Sequence, residues 1–213
     1  MHDPVPVTVG RHQLKGLLGL PVEPKGLVIF AHGSGSGRLS PRNNHVAAGL
    51  RKRGLATLLI DLLSPAEEED RANIFDIPLL AERLVSATDW ASEDPRTFGL
   101  RVGYFGASTG GGAALLAASQ MDGRIGAVVS RGGRPDLAGA AALAQVAAAT
   151  LLIVGSLDTP VIDLNVGAMS HMNCEVSLVI VPGASHLFEE PGTLDQVLDH
   201  AGGWFLEHLG RGA

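Results

Sequence analysis

Three residues far apart in the chain, Ser108, Asp158 and His186, are of the types that together perform nucleophilic acyl chemistry. Ser108 lies in Gly106-Ala107-Ser108-Thr109-Gly110, a G-x-S-x-G turn. The apolar run Arg101 to Phe105 before it has strand character, and Gly111 to Ser119 after it reads as a helix packed through small residues. In a strand–turn–helix of this kind the serine is held in a strained backbone conformation with its hydroxyl clear of the sheet. Bulky residues at the flanking positions would collide with neighbouring backbone, hence the glycines. The following helix directs free N–H groups and the positive end of its dipole at an anion forming beside Ser108. Asp158 lies in Gly155-Ser156-Leu157-Asp158-Thr159-Pro160 and His186 in Pro182-Gly183-Ala184-Ser185-His186-Leu187-Phe188, each after an apolar run of strand length. In this order Ser108 would attack an acyl carbon and His186 would take its proton and pass it to the leaving group. Asp158 would hold the imidazole tautomer and stabilise the imidazolium.

Other residues compete for these roles less well. Of the eight histidines, His2, His12, His200 and His208 fall at a terminus, in a turn or on the last helix, and His45 and His171 fall within helices. Asp163 sits inside a helix, and Glu189 and Glu190 stand too close behind His186 to be its first choice of acid. A tetrahedral intermediate also needs two N–H donors fixed in advance for its oxyanion. One is expected from the backbone of Thr109. The other is expected from Ser34, in His32-Gly33-Ser34-Gly35-Ser36-Gly37 after the first long apolar strand. Those glycines do not fall in G-x-G-x-x-G spacing, and no G-x-x-x-x-G-K-[ST] occurs, so nucleotide binding by this loop is disfavoured.

The elements that must position these residues alternate along the chain. Strand-like runs at 26–31, 55–60, 102–105, 125–129, 151–154 and 176–181 are separated by helical segments near 43–53, 76–93, 109–120, 136–148, 160–171 and 193–208. This alternation predicts a three-layer α/β fold with a doubly wound, mostly parallel sheet. Val5–Val9 and Gln13–Leu20 are expected to add an antiparallel hairpin at one edge. Ligands in such sheets bind beyond the carboxyl ends of the strands, where the candidate residues stand. With 213 residues, no repeat and no linker, one domain over 1–213 is expected.

Composition excludes several classes. A net charge of −6 and no Lys/Arg cluster argue against nucleic-acid binding. The lone cysteine, Cys174, cannot form an internal disulfide framework and is expected to be a packed thiol. The first ten residues lack the basic and apolar regions of a signal peptide, so a cytoplasmic location is expected. The 21 uncharged residues between Asp136 and Asp158 are long enough to cross a bilayer. Their first half, however, is mostly alanine with Gln145 inside, and 150–155 reads as a separate buried strand, so no membrane partner is expected.

The stretches FAHGSGSGRLSPRN, GYFGASTGGGAAL, LLIVGSLDTPV and VPGASHLFEEPG resemble the α/β-hydrolases of the dienelactone-hydrolase-like group, in the right order and across almost the whole chain. The resemblance implies hydrolysis of a small-molecule ester or related acyl compound with no cofactor and no metal. The elbow carries serine where dienelactone hydrolases proper carry cysteine, which favours a general serine esterase over dienelactone specificity. Lactone opening or acyl transfer on the same triad is the alternative, and a non-catalytic binding protein with a hydrolase fold a further one. Some hydrolases with this type of glycine loop resemble domains found joined to phosphoribosyltransferases, and a chain of this length is expected to lack such a partner domain. The short connection Ser130 to Pro135 leaves no room for the lid that many members insert there, which suits small soluble substrates. Arg131 and Arg134 on this connection are candidate clamps for a substrate carboxylate, with a salt bridge to Asp136 as the plainer use. Arg38 and Arg42 are expected to fix loop structure, and the acidic run Glu67–Asp70 to be a solvated loop.

Overall fold

The computed structural model describes residues 3–210; His2 lies outside them. The chain runs β1 (Val5–Val9), β2 (Leu14–Gly19), β3 (Leu27–Ala31), α1 (Pro41–Lys52), β4 (Ala56–Ile60), α2 (Pro65–Glu68), α3 (Arg71–Ile74), α4 (Ile77–Glu93), β5 (Val102–Ala107) and α5 (Thr109–Ser119). It continues with β6 (Ile125–Arg131), a 3₁₀ turn at Pro135–Ala138, α6 (Ala140–Gln145), β7 (Ala149–Gly155), α7 (Thr159–Met169), β8 (Val176–Val181) and α8 (Thr193–Leu209). The strands form one eight-stranded sheet in the order β1-β2-β4-β3-β5-β6-β7-β8. β1 and β2 are the antiparallel edge, and β4 through β8 and β3 run parallel.

Helices cover both faces of the sheet, so β3, β4 and β5 are buried at every position, and alternate residues feed opposite layers. Leu27, Ile29, Leu58, Tyr104 and Val128 pack under α4 and α5, whereas Val28, Phe30, Phe105 and Val129 pack under α1 and α8. The Phe30 and Phe105 ring centroids are 4.9 Å apart on adjacent strands. Tyr104 is fully buried and its hydroxyl meets Thr88 Oγ1 at 2.6 Å, satisfying a polar atom in the apolar layer. Cys174 is half-buried, with Sγ 3.9 Å from Thr150 Oγ1, and burial pushes its thiol pKa up.

Two segments differ from the expectation. The helix expected over 136–148 breaks at Gly139, whose φ of +80° ends the 3₁₀ turn and starts α6. The acidic run expected as a loop is partly helical. Ser64 and Glu67 form a reciprocal capping box around α2, and Asp70 caps α3. Glu67 also pairs at 2.7 Å with Arg83, a largely buried residue of α4, so this carboxylate anchors the segment. The uncharged stretch 137–157 runs through the 3₁₀ turn, α6 and β7, and among the described residues no helix is long and apolar enough to cross a membrane.

Candidate active site

β5 ends at Ala107, and the chain turns through Ser108 at φ +51°, ψ −123° into α5. Such a conformation costs a non-glycine residue on the order of 1–3 kcal/mol and persists only where neighbours over-determine it. Here the end of β6 does so. Ser108 N–H donates to the Arg131 carbonyl (3.3 Å), and the Ser108 carbonyl accepts from Gly111 and Arg134 N–H (each 3.0 Å). The elbow glycines are required sterically. A Cβ on Gly106 would lie 2.6 Å from the Gly110 carbonyl, and one on Gly110 would lie 2.2 Å from the Ala31 carbonyl. Ser108 is the N-cap residue of α5, yet its side chain makes no capping hydrogen bond, which leaves the hydroxyl uncommitted.

The loops after β7 and β8 are locked together. Leu157 N–H donates to the Ala184 carbonyl and Ser156 N–H to the Val181 carbonyl (each 3.0 Å). A Cβ on Gly155 would meet the Ala184 carbonyl at 2.3 Å, so this approach needs glycine. Across this junction His186 Nδ1 lies 2.6 Å from Asp158 Oδ2, with the Asp158 side chain 13% and the His186 side chain 39% exposed. The carboxylate accepts, so Nδ1 carries the proton and Nε2 offers its lone pair. Asp158 is the N-cap residue of α7 and, like Ser108, caps nothing with its side chain. His186 stands at the end of β6: a Cβ on Gly132 would meet its carbonyl at 3.1 Å and its Nδ1 at 3.5 Å. β6 is the hydrogen-bonded neighbour of β5, with Arg131 opposite Ala107, so the imidazole and Ser108 occupy adjacent strand ends.

The two rival glutamates are committed elsewhere. Glu189 pairs with Arg42 at 2.7 Å, and Glu190 Oε2 accepts the Ser185 N–H at 3.0 Å, bracing the histidine loop. That contact with Ser185 holds the Glu190 carboxyl below the usual range. Asp163 lies within α7. Phe188, at φ +56° and buried, turns the same loop back into the core.

The loop after β3 crosses over the elbow: a Cβ on Gly33 would touch the Ala107 carbonyl and Ser108 Cβ, each at 3.0 Å. Ser34 follows at once, and Thr109 N–H is the first of the helix donors that lack an intrahelical acceptor. A cleft of about 740 Å³ opens beside them, with Thr109, Asp61, Leu39, Leu63, Ile74 and Leu80 among its walls. Among the described residues no group of three or more His, Cys, Asp or Glu side chains is placed to hold a metal ion.

The two candidate arginines part company. Arg134 makes a bidentate contact with Asp136, Nε at 2.8 Å and Nη2 at 2.7 Å, so its fork is taken by the plainer partner. Arg131 is buried with its guanidinium carbon 5.9 Å from the Phe188 ring centroid, and its Nε and Nη1 have no hydrogen-bond partner among the described residues. Burial, with Arg42 adding like charge, pulls its pKa down to about 10. Residue patterns gave no sign of the contacts of Asp61 with the glycine loop; its place just after β4 was the one available signal.

A strained serine at the end of β5 and an acid–histidine pair on the loops after β7 and β8 of a mostly parallel sheet form the arrangement of the α/β-hydrolases. No family model matches the chain. A crystal structure of a dienelactone hydrolase from Anabaena variabilis is 56% identical, with a TM-score of 0.93 and coverage of 98% of this chain and 100% of that one. The chain belongs to the dienelactone hydrolase family of α/β-hydrolases. It shares its fold with Est1E from Butyrivibrio proteoclasticus at 16% identity, with a TM-score of 0.81 and coverage of 99% of this chain and 100% of that one. Proteins of two Mycobacterium tuberculosis strains, each named a phosphoribosyl transferase, are 55% identical over 207 residues, 97% of this chain. The chain spans about half the length (46%) of these curated relatives.

Proposed function

We propose that the chain is a serine hydrolase that cleaves a small carboxylic ester or thioester through an acyl-Ser108 intermediate. The observation that carries this reading is the pair of N-cap residues that cap nothing: the Ser108 hydroxyl is free, and the Asp158 carboxylate is spent on His186. Attack by Ser108 Oγ on the acyl carbon would pass its proton to His186 Nε2, forming an imidazolium beside Asp158. The oxyanion would be received by the N–H groups of Ser34 and Thr109. His186 would then protonate the leaving group, and a water activated by the same nitrogen would release the acid.

The longer relatives' name suggests phosphoribosyl transfer, which is a proposal for a protein of about twice this length. The glycine loop here is folded against Ser108 and Asp61, which favours the hydrolase reading for this segment. Lactone opening on the same triad has one observation in its favour: Arg131, buried and unpaired, is suited to a substrate carboxylate, whereas Arg134 is already engaged. The proposal extends to a small acyl compound met in the cytoplasm, and the net charge of −6 disfavours a nucleic-acid partner.

Labelling with a fluorophosphonate probe, followed by peptide mass spectrometry, tests the mechanism without a guess at substrate. Native protein should label at Ser108 and heat-denatured protein should not. If folded protein stays unlabelled, the serine is not activated and the reading of a non-catalytic binding protein takes its place.

A further inference from the structure

The loop that carries Ser34 has little holding it from within. Between β3 and α1 it passes through Gly33, Gly35 and Gly37, with Gly35 at φ +68° and nothing within 4 Å of the place a Cβ there would occupy. Its inner main-chain bonds are Ser36 N–H to the Gly33 carbonyl (3.2 Å) and Ser40 N–H to the Gly37 carbonyl (3.0 Å). Glycine-rich backbone has the most conformational freedom to lose, yet an oxyanion donor helps only if it is fixed before the charge forms.

External ties supply the order, and two of them come from consecutive residues at the end of β4, the strand beside β3. Leu62 N–H donates to His32 Nε2 at 2.9 Å, and His32 Nδ1 donates to the Gly33 carbonyl at 3.0 Å. The imidazole is therefore neutral and pins the loop's start. Asp61 Oδ1 accepts the Arg38 N–H at 2.7 Å, and Asp61 Oδ2 pairs with the Arg38 guanidinium, which pins its end. Gly37 is what lets the carboxylate in, since a Cβ there would lie 2.7 Å from Asp61 Oδ1. Asn44 Nδ2 adds a bond to the Arg38 carbonyl at 2.8 Å.

We propose that Asp61 is a positioning residue for the reaction: by gripping the Arg38 backbone it holds the loop in the shape that aims the Ser34 N–H at the oxyanion, with His32 as the opposite anchor. The proposal rests on the assignment of Ser34 and Thr109 as oxyanion donors. Asp61 also faces the cleft, so a direct contact with substrate is the competing role. The two roles separate kinetically. A group that shapes the oxyanion hole acts on the transition state and moves kcat, whereas one that binds the substrate equally in both states moves KM.

The test uses the full chain and a simple neutral substrate, p-nitrophenyl acetate, with kcat expressed per site titrated by the fluorophosphonate probe. Asp61→Ala should lower kcat about 10- to 100-fold, less than the loss of an oxyanion donor outright, with KM within about twofold. Asp61→Asn, whose amide oxygen can still accept the Arg38 N–H, should recover most of that loss. Arg38→Ala keeps its own backbone N–H and should stay within about threefold of the parent. Unchanged kcat in both Asp61 variants overturns the proposal, as does a rise in KM with kcat preserved, which would make Asp61 a substrate contact. Should Asp61→Ala not fold, the comparison of Asp61→Asn with Arg38→Ala decides: a deeper loss in Arg38→Ala means that the side-chain ion pair, not the backbone grip, matters. Parent protein that neither turns over nor labels would instead strike the hydrolase reading itself.

Discussion

Ser108 and Asp158 both occupy N-cap positions, where serine and aspartate ordinarily accept a helix N–H and stabilise it by about 1 kcal/mol. Neither does so, and Asp158 instead contacts His186 at 2.6 Å. Replacing Asp158 by Asn should therefore hurt activity far more than stability. A loss of about 10³–10⁴ in kcat is expected, because the amide favours the wrong imidazole tautomer, while the thermal midpoint barely moves. A midpoint drop of many degrees would show instead that the carboxylate holds the two loops together. Arg131 makes the opposite case. An unpaired guanidinium under Phe188 is a burden to the folded state, so Arg131→Met should leave stability unchanged or raise it. If the buried arginine receives a carboxylate, the same variant should lose preference for carboxylate-bearing esters over neutral ones by about tenfold or more. Equal kcat/KM ratios in parent and variant would count against that use.

At the scale of elements, the crossing of α5 under the end of β3 depends on one missing methyl. A Cβ on Gly110 would lie 2.2 Å from the Ala31 carbonyl, a backbone atom that cannot swing aside. Gly110→Ala should destabilise by about 1–3 kcal/mol or more through forced displacement of that strand, read as a shift of the urea midpoint. Helices whose apolar residues recur with helical spacing, such as α4 and α8, are visible in residue patterns, and the segments that were not visible are short. α2 and α3 bury no residue of their own, so hydrophobic spacing could not reveal them; Ser64 and Asp70 as caps were the available sign. The alanine-rich 136–148 has no strong pattern to oppose a break, and Gly139 at φ +80° breaks it.

For the whole molecule, the neutral His32 links acid stability to the loop. Burial holds its pKa below the ordinary value of 6.5, so between the two the unfolded chain binds a proton that the folded chain does not. Stability should fall as pH drops below about 6.5, and the slope should lessen in His32→Asn, measured by chemical unfolding at pH 5 and pH 7.5. An identical slope in both proteins would place the acid sensitivity elsewhere.

Strand apolarity, the order of elements, the G-x-S-x-G turn and the order of Ser108, Asp158 and His186 were all legible in the sequence, because each depends on local spacing or on which residues directly follow a strand. Tertiary structure decided what depends on contacts between segments far apart in the chain. It set the Asp158 carboxylate 2.6 Å from His186 and gave Glu189 and Glu190 to Arg42 and the Ser185 N–H. It separated Arg134, forked onto Asp136, from Arg131, left unpaired. It also brought Asp61 and Leu62 of β4's end onto the loop of β3, a pairing set by strand order in the sheet and invisible to any local pattern.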